Sequence, residues 1–391
     1  MSLKQSTNIG IVGAGTMGTG IAQVAATFGH DVFLFDPYSE QLDKSKKNLT
    51  SILNRQVEKA RMTQAEVDKI LSKVHYVDHI NDFSSCGLVL EAVIEDLRVK
   101  KDQIARIEAM VPKNTIIATN TSSLSIASIS SALKKPDRFL GVHFFNPAPL
   151  MKLVELVPGI STTPKTVEVT GELIRSWNKI TVTAKDTPGF IVNRVARPFY
   201  GEALRIHDEG VADPATIDWA MKEIGGFRMG PFELMDLIGH DVNFAVTETV
   251  FKEFFYDPRF KPSFTQKRLV EAGRLGKKSG IGFYDYREGA NNPAPDRDQQ
   301  KGEMIFNRIL VMLINEAADA LFMNIATAED IDLAMTNGVN YPKGLLQWGD
   351  EIGAENVLKQ LQELYETYYE DRYRPNPYIK KIVSEGKTFR N

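Results

Sequence analysis

Cysteine is almost absent. The 391 residues hold one, Cys86, which excludes an intrachain disulfide and gives no sign of an oxidising compartment. Long apolar runs are missing too: no 18-residue stretch reads as a membrane span. The opening MSLKQSTNIGIVG lacks the basic flank and apolar run of a secretory leader. Charge of either sign is nearly balanced, with a net of -3, so nothing draws the whole chain to nucleic acid or an anionic membrane. A local basic patch remains open to a phosphorylated ligand. Together these absences favour the cytoplasm. Histidine is scarce as well, six in all, so each one beside a turn needs a reason.

What is present is a composition of 43% hydrophobic and 25% charged residues, as in ordinary globular proteins, over a length suited to two or three domains. Residues 8–36, NIGIVGAGTMGTGIAQVAATFGHDVFLFD, carry the most specific short signal. An apolar run of strand type leads into Gly13-x-Gly15-x-x-Gly18 and a small-residue helical pattern, and a second run ends in Asp36. Gly13 permits a tight turn, Gly15 lets backbone approach a pyrophosphate, and Gly18 lets helix pack on strand. The helix start, with Thr16 and Met17, offers N–H groups to phosphates. A glycine triplet alone would also fit a plain strand-to-helix turn; the two strands and the terminal acid make it a dinucleotide site. Asp36 suits a ribose diol and repels a 2'-phosphate, which favours NAD over NADP.

Beyond Asp36, strand and helix patterns alternate. Helices are expected over 39–59 and 63–73, the second opened by the capping box Thr63-x-x-Glu66, and over 96–110. Strands are expected at 87–92, 115–119, 140–144, 152–157 and 179–183. The alternation implies a parallel, doubly wound sheet, α/β and Rossmann-type, over residues 1–184. Three polar residues fall near expected strand ends, where such sheets bind ligands: Ser122, His143 and Glu155. A histidine suits proton removal from an alcohol as hydride leaves the same carbon, and a carboxylate at its far nitrogen would set the tautomer. Spacing does not show that His143 and Glu155 meet. A histidine packed at a turn and a solvated glutamate on an edge strand fit the same letters.

Six motifs in order, GAGTMGTGIA, ATNTSSLSI, GVHFFNPAPLMKLVE, KDTPGFIVNR, MGPFELMDLIG and GKKSGIGFY, resemble the L-3-hydroxyacyl-CoA dehydrogenase family, including its 3-hydroxybutyryl-CoA members, over residues 8–286. The resemblance implies an NAD-dependent enzyme acting on an acyl-CoA thioester. It makes His143 the catalytic base, Glu155 the group that orients it, Ser122 a contact to the substrate oxygen and Asn193 a neighbour of the reacting groups. It sets Asn146 on the nicotinamide side, and Glu95, Lys100 and, more weakly, Lys277 near the cofactor. Lys278 competes with Lys277 for that role. The phosphates of coenzyme A need cations, and the helical hairpin with Lys47, Arg55, Lys59 and Arg61 is basic enough; Lys59 is the single residue favoured. No metal is expected.

From about residue 186 the pattern turns helical, and the chain after 300 echoes it at a shift of 114: Asn193-Arg194 falls on Asn307-Arg308, Glu202-Ala203 on Glu316-Ala317, Ile217-Asp218 on Ile331-Asp332, and Asp236 on Asp350. The expected organisation is therefore a nucleotide domain over 1–184, a first helical domain over 185–298 and a second over 299–391. The second copy is expected to end before any counterpart of GKKSGIGFY, to carry no catalytic role, and to mimic a dimer contact by packing on the first, leaving the full chain a monomer or a homodimer. Two rival readings are a dehydrogenase of a free 3-hydroxy acid or sugar acid, and a catalytically silent NAD-binding protein. A third, a nucleotide-sugar dehydrogenase with a thiol nucleophile, conflicts with the place of Cys86 before a strand of the first domain.

Overall fold

The structure, a computed structural model, describes Leu3 and residues 6–390; Met1, Ser2, Lys4, Gln5 and Asn391, which the expected domain limits include, lie outside the described residues. The chain divides at Thr187/Pro188 into two compact units, three residues after the expected boundary at 184/185.

In the first unit the apolar runs of the sequence become strands, those at the centre of the sheet buried along most of their length. The elements are β1 (Asn8–Val12), α1 (Thr16–Thr27), β2 (Val32–Phe35), α2 (Ser39–Glu58), α3 (Gln64–Ser72), β3 (Val74–Val77), β4 (Cys86–Glu91), α4 (Leu97–Met110), β5 (Ile116–Thr119), α5 (Ile126–Ser130), β6 (Phe139–Phe144), β7 (Leu153–Pro158), α6 (Pro164–Ser176) and β8 (Ile180–Thr183). The capping box of α3 forms, with the Thr63 and Glu66 side chains each bonded to the other's backbone N–H. Strand order is β3-β2-β1-β4-β5-β6-β7-β8. Helices cover the sheet, and the core between them includes Ile9, Ile11, Ile21, Leu34, Leu88, Leu90, Val142 and Trp177, each at most 1% exposed.

One expectation about this sheet fails. It is parallel from β3 through β6, but β7 runs antiparallel to β6, with β8 parallel to β7. The reason is length: residues 145–152 are too few for a parallel crossover, which takes a dozen or more. A short link can only turn the chain back. Strand β3 and helices α5 and α6 also form where no element was expected. Val74–Val77 is brief and half-buried, so it carries little apolar signal.

The second unit is helical: α7 (Val192–Val195), α8 (Arg197–Asp208), α9 (Pro214–Trp219), α10 (Pro231–Ile238), α11 (His240–Glu253), α12 (Phe264–Glu271), α13 (Gln299–Phe322), α14 (Ala328–Gly338), α15 (Leu345–Ile352), α16 (Ala354–Tyr368) and α17 (Pro377–Glu385). The 114-residue echo is physical. Asp218 caps α10 by accepting from Phe232 N and Glu233 N, and Asp332 caps α15 by accepting from Leu346 N and Gln347 N. A Cβ on Gly230 would lie 2.3 Å from Asp218, and one on Gly344 2.3 Å from Asp332, so each cap requires its glycine. The copies pack through α7, α8 and α13, where Arg194 pairs with Glu316 at 2.8 Å and Arg308 with Glu202 at 2.7 Å. These are one interaction written twice, with the copies exchanged.

A second expectation also needs revising. Asp236 accepts from Phe283 N and Tyr284 N, and Asp350 accepts from Phe389 N and Arg390 Nε. The short tail after Gly386 therefore closes the second copy as GKKSGIGFY closes the first. It falls outside the 114-residue echo because the segment from Asp350 to Phe389 is shorter than that from Asp236 to Phe283.

Candidate active site

The glycine turn has the stereochemistry its residues require. Gly13 sits at φ +105°, and a Cβ there would come within 2.6 Å of Ala92 O; a Cβ on Gly18 would lie 1.8 Å from Gly13 O. Around Gly15 a Cβ would meet nothing within 4 Å. Gly15 is the N-cap of α1 and has no side-chain partner for the helix's N–H groups. Gly15 and Thr16 are exposed and Met17 is half-buried. A helix start with bare backbone and open space suits a diphosphate. Asp36, at the end of β2, accepts from Ala14 N at 2.8 Å and Tyr38 N at 3.0 Å. It thereby braces the turn, and a carboxylate with four acceptor positions retains capacity for a diol.

The antiparallel turn-back answers why a glutamate follows the histidine by twelve residues. His143 and Glu155 are directly paired across β6 and β7, so both side chains stand on one face of the sheet. His143 Nδ1 is 2.6 Å from Glu155 Oε2, with His143 5% and Glu155 0% exposed. Phe145 covers the ring at 4.4 Å between centroids. The carboxylate thus holds Nδ1, and Nε2 is the ring's other nitrogen.

Asn146 follows β6 and is exposed. Its loop is fixed from two sides: Lys179 Nζ donates to Ala148 O at 2.6 Å and Met151 O at 2.7 Å, while Gly20 of α1 approaches Ala148 and Pro149 so closely that a Cβ would meet both at 3.3 Å. Burial pushes Lys179 down to about 8.

Ser122 lies in a turn after β5 that carboxylates hold. Glu95 Oε1 accepts from Thr121 Oγ1 at 2.6 Å, Ser122 N at 2.9 Å, Ser123 N at 3.2 Å and Ser123 Oγ at 3.1 Å. Ser122 Oγ stands 3.5 Å from the same oxygen. Lys100, 1% exposed, donates to Glu91 Oε1 at 2.8 Å and reaches Glu95 Oε2 at 3.3 Å. Burial alone would raise Glu95, yet the Lys100 ammonium and the hydrogen bonds of the turn outweigh it and hold the carboxyl below its ordinary value. Lys100 therefore acts on the site through Glu91 and Glu95. Further along, Asp186 accepts from Ser125 Oγ, Ile126 N and Ala127 N.

Glu91, Thr119, Asn120, Lys179 and Asp186 escaped the sequence reading. Glu91 accepts from Thr119 Oγ1 at 2.7 Å, and Asn120 Oδ1 accepts from Phe144 N at 2.8 Å. An acid closing the apolar run LVLE was the available signal for Glu91. Lys179 had none.

In the helical unit, Asn193 sits in α7, half-buried, where the turn at Gly189 leads the chain in. Lys277 is exposed, with Nζ 5.5 Å above the Tyr286 ring, whereas Lys278 is paired with Asp241. That leaves Lys277 as the better candidate for a phosphate. A surface groove along α2 is lined by Lys46, Lys47 and Arg55. Lys59, the C-cap of α2, is exposed but does not line that groove.

A glycine turn at a helix start, an acid closing the second strand, and a buried histidine–carboxylate pair on a strand end define a dinucleotide-dependent dehydrogenase. The comparisons are specific. The NAD-binding domain of 3-hydroxyacyl-CoA dehydrogenase matches residues 8–187, and the C-terminal domain of 3-hydroxyacyl-CoA dehydrogenase matches residues 189–286 and 304–391. A 3-hydroxyadipyl-CoA dehydrogenase of Escherichia coli is 39% identical over 94% of this chain and 95% of its own length. A 3-hydroxybutyryl-CoA dehydrogenase of Clostridioides difficile is 41% identical over 72% of this chain and 99% of its own. A crystal structure of 3-hydroxybutyryl-CoA dehydrogenase from Escherichia coli K12 superposes with a TM-score of 0.93 at 37% identity, covering 98% of this chain and all of that one. The chain belongs to the 3-hydroxyacyl-CoA dehydrogenase family. Its activity is the NAD-dependent interconversion of 3-hydroxyacyl-CoA and 3-oxoacyl-CoA.

Proposed function

We propose that His143 is the base that takes the 3-hydroxyl proton of an L-3-hydroxyacyl-CoA, and the observation that carries this is the 2.6 Å approach of Nδ1 to the fully buried Glu155. NAD, bound along the glycine turn with its ribose at Asp36, supplies the hydride acceptor. As the substrate C–H and O–H bonds break, His143 Nε2 gains the proton and Glu155 stabilises the imidazolium. Ser122 and Asn193 hold the oxygen substituents, and Glu95, through its bonds to residues 121–123, sets the direction of Ser122. Asn146, on its braced loop, borders the nicotinamide, and Lys277 completes the cofactor contacts. The acyl chain is short, with 3-hydroxybutyryl-CoA within range. The basic α2 face, Lys59 included, receives the coenzyme A phosphates. His143→Gln should abolish turnover measured at 340 nm while leaving NAD affinity in place; near-normal turnover would reject the assignment.

The second helical copy is proposed as a built-in dimer partner. The exchanged pairs Arg194–Glu316 and Arg308–Glu202 support it, because a self-complementary interface makes each contact twice. A chain cut near residue 290 should then associate in sedimentation; a cut chain that stays monomeric and stable opposes the idea. The expected address is the cytoplasm, and the expected setting is fatty acid β-oxidation. Among the described residues no helix is long and apolar enough to cross a membrane. The one cysteine is buried, and burial pushes its thiol up to about 12.

A further inference from the structure

Among the described residues two lysines are buried, Lys100 and Lys179, and their surroundings differ. Lys100 faces the carboxylates of Glu91 and Glu95. Lys179 is 8% exposed, and among the described residues no carboxylate pairs with it. Its Nζ donates only to main-chain carbonyls, Ala148 O at 2.6 Å and Met151 O at 2.7 Å. A buried ammonium without a counter-ion is costly, and a neutral amide donates to carbonyls as well. Holding the loop does not by itself explain the charge. Even pushed down to about 8 by burial, the group stays charged at neutral pH.

The fold brings that charge to the ligand-binding edge of the sheet. β7 runs against β6 and β8 runs with β7, so both begin at the edge where β6 ends. Ile180 pairs with Leu153, and the next residue of β7, Val154, pairs with Phe144. Lys179 therefore stands level with the end of β6, two strands away, where sheets of this class bind their ligands. Asn146 is two residues before Ala148, whose carbonyl Lys179 holds. The ammonium is thus on the order of 10 Å from Asn146, a hydrogen bond plus two extended residues. All these residues lie within 8–187, the span matched by the NAD-binding domain.

We propose that Lys179 is a fixed charge that sets which redox form of the cofactor this domain prefers, holding back NAD and so favouring NADH. The proposal rests on the reading of Asn146 as the border of the nicotinamide. The oxidised ring is a pyridinium with one positive charge, the reduced ring is neutral, and the two molecules are otherwise alike. A positive charge about 10 Å away separates their affinities by about 4- to 15-fold for an effective dielectric between about 40 and 20. Loss of the loop contacts alone would weaken both forms by the same factor.

The test titrates the full-length protein with NADH, NAD and ADP-ribose, which lacks the ring, and reads three dissociation constants by fluorescence and calorimetry. The wild type should bind NADH more tightly than NAD. Lys179→Met should lower that preference by about 4- to 15-fold, and Lys179→Arg, which keeps the charge, should retain most of it. A wild type that binds NAD as tightly as NADH overturns the proposal, as does a Lys179→Met variant whose preference stays within about twofold of wild type. If Lys179→Met does not fold, Lys179→Gln, whose amide still donates to a carbonyl, is judged by the same ratio. Asn146→Ala separates the two readings. It should weaken NAD and NADH and spare ADP-ribose; if it spares all three, the placing of the nicotinamide falls and the proposal with it. If it behaves as expected while Lys179→Met leaves the preference intact, the placing stands and the proposal alone falls.

Discussion

Replacing Glu155 by glutamine is the sharpest probe of the active site, because it removes one charge and little else. Glu155 is fully buried and 2.6 Å from His143 Nδ1. When His143 takes the substrate proton, the pair becomes imidazolium and carboxylate. Opposite unit charges about 4 Å apart attract by about 4 kcal/mol at an effective dielectric of about 20, which is an upper limit. A hydrogen bond to a charged group contributes about 1.5–3 kcal/mol against about 0.5–1.5 for a neutral one. The difference, about 1 to 1.5 kcal/mol, corresponds to roughly 5- to 13-fold in rate. An amide that can turn either end towards Nδ1 also loosens the tautomer, so kcat should fall by about 10- to 1000-fold. The KM for NAD should stay close to wild type, since Glu155 is distant in sequence and element from the glycine turn. Kinetics at 340 nm measure both quantities. A variant within twofold of wild-type kcat would refute the reasoning.

Gly18→Ala places a Cβ where Gly13 O stands at 1.8 Å, so α1 must shift off β1 and NAD affinity should drop about 5- to 150-fold; unchanged cofactor titration would contradict this. Arg308→Met leaves Glu202, 2% exposed, with weaker partners in Arg372 and Tyr373, and should destabilise the chain in urea by about 3 kcal/mol, the lower end for a broken buried pair. A loss under about 1 kcal/mol would count against the exchanged-pair interface. Lys179 provides a pH test. Burial lowers it from 10.5 to about 8, so between those values the unfolded chain holds more protons than the folded one, and stability should rise with pH across that window. The difference between wild type and Lys179→Met should carry that slope; parallel stability curves from pH 8 to 10.5 would show that Lys179 is not the source.

Much of this protein is local chemistry and could be read from the chain. Gly13, Gly18 and Asp36 must hold their places for steric and hydrogen-bonding reasons confined to one strand-turn-helix unit, and the helix caps at Thr63 and Asp96 lie within three or four residues of what they cap. The 114-residue echo was legible too, because both copies solve the same packing problem with the same residues. Meetings between distant residues were not legible. The link 145–152 reverses β7 and so brings Glu155 to His143, while a chain read as uniformly parallel would have kept them apart. Lys100 became a buried brace because Glu91 and Glu95 converge on it from β4 and the loop that follows, and Phe389 completed the second copy through a contact with Asp350 far back in the chain. Sequence determines what each residue can do alone and with near neighbours; which carboxylate faces which cation is decided only when strands and helices pack, since burial is what makes a missing or present partner matter.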